Sequence, residues 1–488
     1  MDSATLMLLA ILLPFLGAGG IVLSGRWPNL REAITLLTAG GLGLIVISLF
    51  LHIQQGTNIA LQLAEPLPGL PIAFHIEPLG MLFALVASLL WFVTSIYAIG
   101  YMRGHKEKNQ TRFYALFAIA IGSAMGTAFA GNMLTLFLCY EVLTISTYPL
   151  VAHGGTPEAR RSARTYLGIL LGTSIGLQLL AILITYTISG TLDFRDGGIL
   201  AGKLDPAWAA LLYALFIFGI GKAAIMPLHR WLPAAMVAPT PVSALLHAVA
   251  VVKAGVFTIL KVTVYIFGTD FILESGANNW LIWFAAATIL FASLIAMTKD
   301  NLKARLAYST ISQLGYIVLG ALLATPMSLL GGSLHIAMHA FAKITLFFAA
   351  GAILVATHKT KISDMAGLGK TMPITFGVFL IGSLSIIGLP PLGGMWSKWY
   401  LVLSTVETGQ WILLTVLLLS SLLNIAYLLP IPIRAFFAKP KGGQKYTKIK
   451  EAPVSCLIAM IISSLACVVL FFYPEPFYQL AQSFAKGK

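Results

Sequence analysis

The sequence predicts an all-α polytopic membrane protein with about fourteen transmembrane helices, among them two inverted five-helix repeats that each contain a broken helix. Two observations predict the membrane location: 58% of the 488 residues are hydrophobic and only 10% are charged, and the mean hydropathy is +0.89. A soluble domain of this composition would aggregate. A third observation, described below, predicts the repeats: proline-rich interruptions recur five spans apart.

The transmembrane spans are predicted from apolar runs, because a hydrocarbon core about 30 Å thick needs roughly 20 apolar residues per crossing. Such runs cover residues 4–24, 33–53, 79–101, 113–130, 132–151, 165–189, 206–237, 241–266, 280–297, 303–325, 329–356, 372–408, 410–433 and 454–473. The N-terminal run lacks a basic flank and a cleavage site, so it is expected to be a retained helix.

The spans divide the chain into four predicted parts. Residues 1–112 hold three N-terminal helices, 113–266 the first five-helix repeat, 280–437 the second repeat, and 438–488 a loop and the last helix. The longest polar stretches, 54–78 and 434–453, are of linker size, and the second is interpreted as a contact with lipid headgroups or a partner.

Basic residues are concentrated on one predicted side of the membrane. Of the 31 basic residues, 21 lie in the loops that join odd-numbered to even-numbered spans: Arg26, Arg31, Arg103, Lys106, Lys108, Arg112, Arg160, Arg161, Arg164, Lys299, Lys303, Arg305, Lys359, Lys361, Lys370, Arg434, Lys439, Lys441, Lys445, Lys448 and Lys450. The opposite loops and the C-terminal tail hold Arg195, Lys203, Lys486 and Lys488. The positive-inside rule then places both termini on the outer, non-cytoplasmic side of the cell inner (plasma) membrane. The net charge of +14 therefore reflects topology and is not evidence of nucleic-acid binding.

Several classes of site are not encoded. Cys139, Cys456 and Cys467 all fall in apolar runs without CxxC spacing, so no disulfide framework or metal cluster is predicted. No polar segment is long enough to form a soluble cofactor-binding domain. We therefore expect no cofactor and no metal, and any chemistry is expected to take place within the bilayer.

Two spans are interrupted by prolines, which remove a backbone donor and bend or open a helix. The seventh span contains Pro227, Pro233, Pro239 and Pro241, and the twelfth contains Pro390 and Pro391. The breaks lie five spans apart, which suggests two five-helix repeats with one break each. Because five is an odd number, the two repeats must cross the membrane in opposite directions, as in transporters built around a midplane site. Kinks that serve packing alone are the alternative.

Buried ionisable side chains are the candidate functional residues, because a charge in a membrane helix costs roughly 2.5–3.5 kcal/mol on insertion scales. Glu141 lies deep in the fifth span, and Lys222 lies beside the first break. We expect these two to pair, so that Glu141 ionises and exchanges protons. A purely structural ion pair is the alternative.

Further ionisable residues extend this set. Lys253 follows His247 by six residues, about 9 Å along a helix, so a water would have to join them. The segment HIAMHAFAK sets His335, His339 and Lys343 four residues apart on one helical face. That stripe is interpreted as a proton ladder, with structural hydrogen bonding as the alternative and a metal site disfavoured because no carboxylate or thiolate accompanies it.

Three other basic residues and one polar run complete the candidates. Lys398 lies between Trp396 and Trp399 after the second break, either in the relay or as a snorkelling lysine. Lys261 and Arg230 are expected to snorkel or meet headgroups. The run ARLAYSTISQLGYIV carries a polar face that either holds water or packs helices: Ser309, Thr310, Ser312, Gln313 and Tyr316.

The motifs GKAAIMPLHRWLPAAMVAPTPVSALLHAVAVVKAG, RLAYSTISQLGYI, HIAMHAFAK and GLPPLGGMWSKW resemble those of the antiporter-like subunits of respiratory complex I, membrane-bound hydrogenases and Mrp-type sodium/proton antiporters. The likeness covers nearly the whole chain. It implies a hydrated proton path through Glu141, Lys222, Lys253 and Lys398, with His335, His339 and Lys343 on the intervening helix. Lysine at 398, where one complex I homologue usually has glutamate, and the short segment after the last span favour similarity to the D-type subunit of Mrp antiporters.

The resemblance implies an ion-translocating membrane subunit that is not an enzyme, although it could belong to a redox enzyme complex. More specifically, it implies a proton-translocating subunit of a multisubunit Na⁺/proton antiporter, with other membrane subunits and the lipid bilayer as partners. A proton-pumping subunit of a hydrogenase or NADH-quinone oxidoreductase complex is the alternative. A stand-alone solute transporter, a catalytic oxidoreductase and a scaffold whose charges only hold partners are the remaining hypotheses.

Overall fold

A computed structural model describes residues 2–440 and 448–487 of the chain; the predicted partner contact at 434–453 lies partly outside them. The helices of the first half are α1 (Ser3–Leu23), α2 (Pro28–Gln54), α3 (Pro78–Gly104), α4 (Gln110–Ala128), α5 (Met133–Val151), α6 (Pro157–Thr173), α7 (Leu179–Ser189), α8 (Pro206–Gly219), α9 (Trp231–Ala234), α10 (Thr240–Ala244), α11 (Val251–Lys261) and α12 (Thr269–Ser275). Those of the second half are α13 (Leu281–Thr298), α14 (Leu302–Leu323), α15 (Pro326–Thr357), α16 (Pro373–Ile387), α17 (Gly394–Glu407), α18 (Trp411–Leu428), α19 (Pro430–Phe437), α20 (Val454–Phe472) and α21 (Glu475–Ala485).

These helices confirm a multi-pass membrane protein. Ten helices in the described residues are long and apolar enough to cross a membrane, and Val251–Phe267 with Thr269–Ser275 forms one further bent pair. The other predicted spans correspond to shorter or less apolar helices, namely α4, α8 and the α16–α17 pair. The division of the chain into four parts stays a prediction.

Both predicted helix breaks are confirmed. The first separates α8 from α9 and contains a 3-10 turn, Gly221–Ala223, and a cis peptide bond before Pro227. The second separates α16 from α17 at Gly388, whose φ is +92°, and contains a cis bond between Pro390 and Pro391. Freed backbone groups find partners in neighbouring elements: the Trp231 indole donates to the Gly221 carbonyl over 2.9 Å. Satisfied breaks of this kind are tolerated at membrane depth.

Loops joining alternate spans group on opposite ends of the bundle, as the predicted topology requires. At one end, Arg31 donates to Gln110, and the backbone N–H of Leu302 donates to Thr360. We call this end, where Arg31, Arg103 and Lys303 lie, the basic face. At the opposite face, the Asn132 amide donates to the Pro71 carbonyl over 2.7 Å. Which face is cytoplasmic stays a prediction.

Two elements of the opposite face were not predicted. The segment 54–78, expected to be a linker, contains an antiparallel hairpin of β1 (Ala60–Leu67) and β2 (Leu70–His75). Its turn contains Gly69 at φ +76°, a conformation that glycine adopts readily. The short helix α21 follows the last span and packs on α3 and α15, with Phe477 stacked edge-on against Phe341.

Candidate functional site

Lys222 lies at the first helix break, fully buried against α5. Its Nζ donates to the Tyr140 carbonyl over 2.9 Å and to Thr144 Oγ1 over 2.5 Å. The same nitrogen lies 3.0 Å from the centre of the Tyr140 ring, a cation–π geometry. Helix α11 approaches closely here because it has glycine at 255, where a Cβ would meet the Lys222 carbonyl carbon at 2.5 Å. The site is therefore tightly packed around the lysine.

Glu141 does not form the expected ion pair with Lys222. Within the described residues, neither carboxylate oxygen has a hydrogen-bond partner, although both are buried. The lysine turns instead towards the Tyr140 ring and carbonyl, which hold its ammonium group. Glu141 still acts electrostatically on Lys222 at longer range. Its helix face carries the exposed Leu138 and Ile145, so the carboxylate lies beside a surface that lipid or another subunit covers.

Lys253 is joined to the predicted histidine stripe. Its Nζ lies 2.7 Å from His339 Nδ1, and both side chains are buried. This bond connects α11 in the predicted first repeat to α15 in the second. His247 lies in the π-helical turn Leu245–Val249, and its side chain is outside the described part of the structure. Its predicted water link to Lys253 stays a prediction.

The stripe on α15 forms a stacked series. The rings of His335 and His339 are 5.7 Å apart and nearly parallel. His335 Nδ1 lies 2.8 Å from Ser397 Oγ on α17, next to Lys398 in the sequence. At the other end, Lys343 Nζ donates to Ser309 Oγ over 2.8 Å. The three side chains thus bridge α11, α14 and α17.

Lys398 is buried at the second break and does not snorkel. Its Nζ donates to the Ile387 carbonyl and to Ser421 Oγ, each over 3.2 Å. It also lies 4.9 Å from the centre of the Tyr316 ring. A Cβ at residue 388 would meet Lys398 Cδ at 2.9 Å, so glycine there makes room for the lysine.

The polar face of α14 packs helices at Ser312, whereas its role in holding water stays a prediction. Ser312 packs helices, because its hydroxyl lies 2.9 Å from Ser293 and 3.3 Å from Ser420. Ser309 instead accepts a hydrogen bond from Lys343. Gln313 is fully buried, and neither end of its amide has a partner within the described residues. Since buried polar groups are normally hydrogen-bonded, Gln313 is suited to hold a water molecule.

Several side chains that hold the lysines and His335 were not predicted from the sequence. Tyr140 and Thr144 hold Lys222, and Ser397 holds His335. Two of these residues could have been predicted, because each is next to a candidate in the sequence: Tyr140 precedes Glu141, and Ser397 precedes Lys398. Thr144 had none, because hydroxyl groups in membrane helices usually bond their own backbone.

Lys261 is buried and paired, so the prediction that it snorkels was wrong. It was predicted to snorkel to the headgroups, but only 1% of it is exposed, and its Nζ lies 2.6 Å from Glu77 Oε1. The carboxylate at the start of α3 lies within reach, so the lysine is neutralised inside the protein. Arg230, with which it was grouped, is exposed on the basic face.

The arrangement can pass protons but offers little to a metal. Among the described residues, no group of three or more His, Cys, Asp or Glu side chains is placed to hold a metal ion. Lysine, imidazole and carboxyl groups within hydrogen-bond or water-bridged reach can exchange protons.

Comparisons with known proteins match this fold and these motifs. The family model described as "NADH:quinone oxidoreductase/Mrp antiporter, TM" matches residues 130–424, and the model "NADH-Ubiquinone oxidoreductase (complex I), chain 5 N-terminus" matches residues 69–114. The NADH-quinone oxidoreductase subunit N of Desulforudis audaxviator is 35% identical over 84% of this chain and 83% of its own length. The D-type subunit of the Na(+)/H(+) antiporter of Alkalihalophilus pseudofirmus is 28% identical over 97% and 95%. A chain in the structure of the Mrp complex from Dietzia sp. has the same fold, with a TM-score of 0.87, 22% identity and coverage of 99% and 97%. The chain therefore belongs to the NADH:quinone oxidoreductase/Mrp antiporter transmembrane family.

Proposed function

We propose that this chain moves protons as a membrane subunit of a multisubunit Na⁺/proton antiporter in the cell inner membrane. One observation carries the proposal: the buried bond between Lys253 and His339 joins the lysines around the first break to the histidine stripe that reaches the second. Buried ionisable groups in a membrane protein mark proton or ion paths by default. The likeness to the D-type antiporter subunit over nearly the whole chain supports the antiporter in particular.

The relay would begin at Glu141. A carboxylate there favours the ammonium form of Lys222, and protonation of Glu141 removes that preference. Lys222 can then release its proton through water towards Lys253. The Lys253–His339 pair shares one proton between amine and imidazole.

From His339 the path follows the stripe. The stacked His335 continues the path towards Ser397 and Lys398, while Lys343 lies at the other end of the stripe. Protons cross each remaining gap through water, which a buried polar site can hold where several partners converge.

The proposal is tested in the intact complex, purified through a tag on this chain and reconstituted in liposomes that contain a pH-sensitive dye. A Na⁺ gradient should drive proton flux in the wild type. Glu141→Gln and Lys222→Met should abolish the flux while the complex still assembles. Lys370→Ala, at an exposed lysine of the basic face, is the control and should keep the wild-type rate. Normal flux in both relay variants would refute the relay.

A redox-driven complex is the second candidate function, and the 35% identity to an NADH-quinone oxidoreductase subunit N favours it. In that case the same relay residues would be required, but the flux would follow an electron donor and acceptor instead of the Na⁺ gradient. The subunits that copurify with the chain distinguish the two, because a redox pump must contain cofactor-binding subunits. Solute uptake by the chain reconstituted alone would instead indicate a stand-alone transporter.

A further inference from the structure

The ion pair between Glu77 and Lys261 is a buried titratable site that the relay described above does not use. Glu77 precedes α3, and Lys261 is the last residue of α11. Both are buried, with 7% and 1% of their side chains exposed. The lysine also donates to the Ala130 carbonyl over 2.9 Å and lies 3.8 Å from the centre of the Phe194 ring.

Such a pair contributes little to stability. Desolvating two charges offsets most of their attraction, so apolar replacements of buried pairs are often neutral or stabilising. The pair lies at the end of a helix that continues as the π-helix Val262–Phe267, and π-helical turns are frequent at functional sites. A role other than packing is therefore the stronger explanation.

Glu77 lines a cavity at the opposite face, so the pair reaches solvent through its carboxylate. A cavity of about 470 Å³ is lined by Glu77 together with polar and aromatic neighbours. The other charged or titratable residues that line the cavity are His75 on β2, Arg195 and Asp196 in the loop after α7, and Tyr265 beyond α11. The cavity also includes Asn58, whose side-chain oxygen lies 2.9 Å from His75 Nε2.

The pair is also on the same helix stripe as the relay. Lys253, Phe257 and Lys261 are spaced four residues apart, so they share one face of α11. The two lysine Cα atoms are separated by about 12 Å along the axis, a gap that water would have to bridge past Phe257. Phe257 packs against Phe83 with ring centres 5.1 Å apart, so it separates the relay interior from the cavity.

We propose that Glu77 and Lys261 form the proton-exchange site through which the relay communicates with the opposite face. A proton reaching neutral Lys261 from Lys253 restores its ammonium group. Transfer from Lys261 Nζ to the Glu77 carboxylate leaves a neutral amine and a carboxylic acid. The acid then releases the proton to water in the cavity, which returns the carboxylate, so one proton enters and one leaves. This inference rests on the proposed function.

Glu77→Gln in the reconstituted intact complex tests the site. We expect Na⁺-driven proton flux to fall roughly tenfold or more, with the remaining flux losing its dependence on pH at the opposite face. The matched control is Glu32→Gln, because Glu32 is equally buried (6% side-chain exposure) and paired with Arg103, but at the basic face. A structural role alone would lower the thermal stability of both variants without changing the pH dependence.

A second measurement covers the case in which Glu77→Gln does not assemble. Asn58→Cys places a thiol in the cavity, and a membrane-impermeant thiol reagent added from the opposite face should slow the flux, whereas the same reagent should not affect the wild type. Wild-type flux in Glu77→Gln, or in fully modified Asn58→Cys, would overturn the exchange site. If Glu141→Gln also kept normal flux, the proposed function itself would be refuted. If Glu141→Gln lost flux while Glu77→Gln kept it, the relay would be supported and only the exchange site at Glu77 and Lys261 would be refuted.

Discussion

The bond between Lys253 and His339 makes a quantitative prediction about coupling. Its length of 2.7 Å and complete burial make it a strong hydrogen bond when the shared proton is present. Hydrogen bonds to charged groups contribute about 1.5–3 kcal/mol. Since about 1.4 kcal/mol corresponds to a factor of ten, losing the bond should slow transport roughly 10- to 140-fold.

A double-mutant cycle measures whether the two residues act as one unit. Lys253→Met and His339→Phe each remove one partner and keep much of the volume. We expect each single variant to lose flux by the factor above, and the double variant to lose no more than the slower single variant. Proton flux in liposomes is the assay, with the amount of assembled complex measured in parallel.

The control for this cycle is Thr258→Val on the same helix. Thr258 is buried, and its hydroxyl donates to the Ala254 carbonyl of its own helix over 2.6 Å instead of to a relay residue. Its variant should transport normally. If the loss of flux in the double variant equalled the product of the two single losses, Lys253 and His339 would act independently, and the reasoning from their bond would be refuted.

Three further predictions concern other contacts. Ser397→Ala removes the partner of His335 Nδ1. It should slow proton flux about 2- to 10-fold, because a hydrogen bond contributes a net free energy of roughly 0.5–1.5 kcal/mol. Ser397→Thr should restore the flux, and an unchanged rate in the alanine variant would contradict a role of Ser397 in the relay. Gln313→Leu should slow flux if the amide holds relay water, as measured in liposomes, whereas higher thermal stability with unchanged flux would show that Gln313 is only an unsatisfied packing residue. Burial lowers the pKa of His153, just beyond the end of α5, from its usual 6.5. As pH falls, the histidine of the unfolded chain therefore binds a proton at a higher pH than that of the folded chain. The midpoint temperature of thermal unfolding should then fall as pH drops below about 6.5, and it should fall less in His153→Gln. The same dependence of the midpoint on pH in both proteins would refute this prediction.

The membrane architecture could be predicted from the sequence because hydropathy and proline interruptions are local signals. Length and apolarity fix a span, since the bilayer leaves the backbone few alternatives to the helix. The hairpin at β1 and β2 was missed because a short polar loop carries no such constraint, although a Pro-Gly turn lies within it. Sequence spacing also correctly placed both breaks, because proline acts on its own helix.

The candidate site could be predicted only as a set of residues. Spacing along one helix predicted the stripe of His335 and His339, whose rings the structure stacks. Contacts between helices had no sequence signal, so the partner expected for Lys222 was wrong and the partner of Lys253 was not identified. Lys261 was misjudged for the same reason: Glu77 is far away in the sequence, and only the fold brings the two charges together.

The most direct test of the central claim is an infrared difference spectrum of the intact complex during Na⁺-driven turnover. If Glu141 gains and loses the transported proton, a protonated carboxyl band should appear and disappear with turnover. That band should be absent in Glu141→Gln and unchanged in Glu32→Gln. A spectrum in which no carboxyl band depends on Glu141 while protons still flow would contradict the proposed relay.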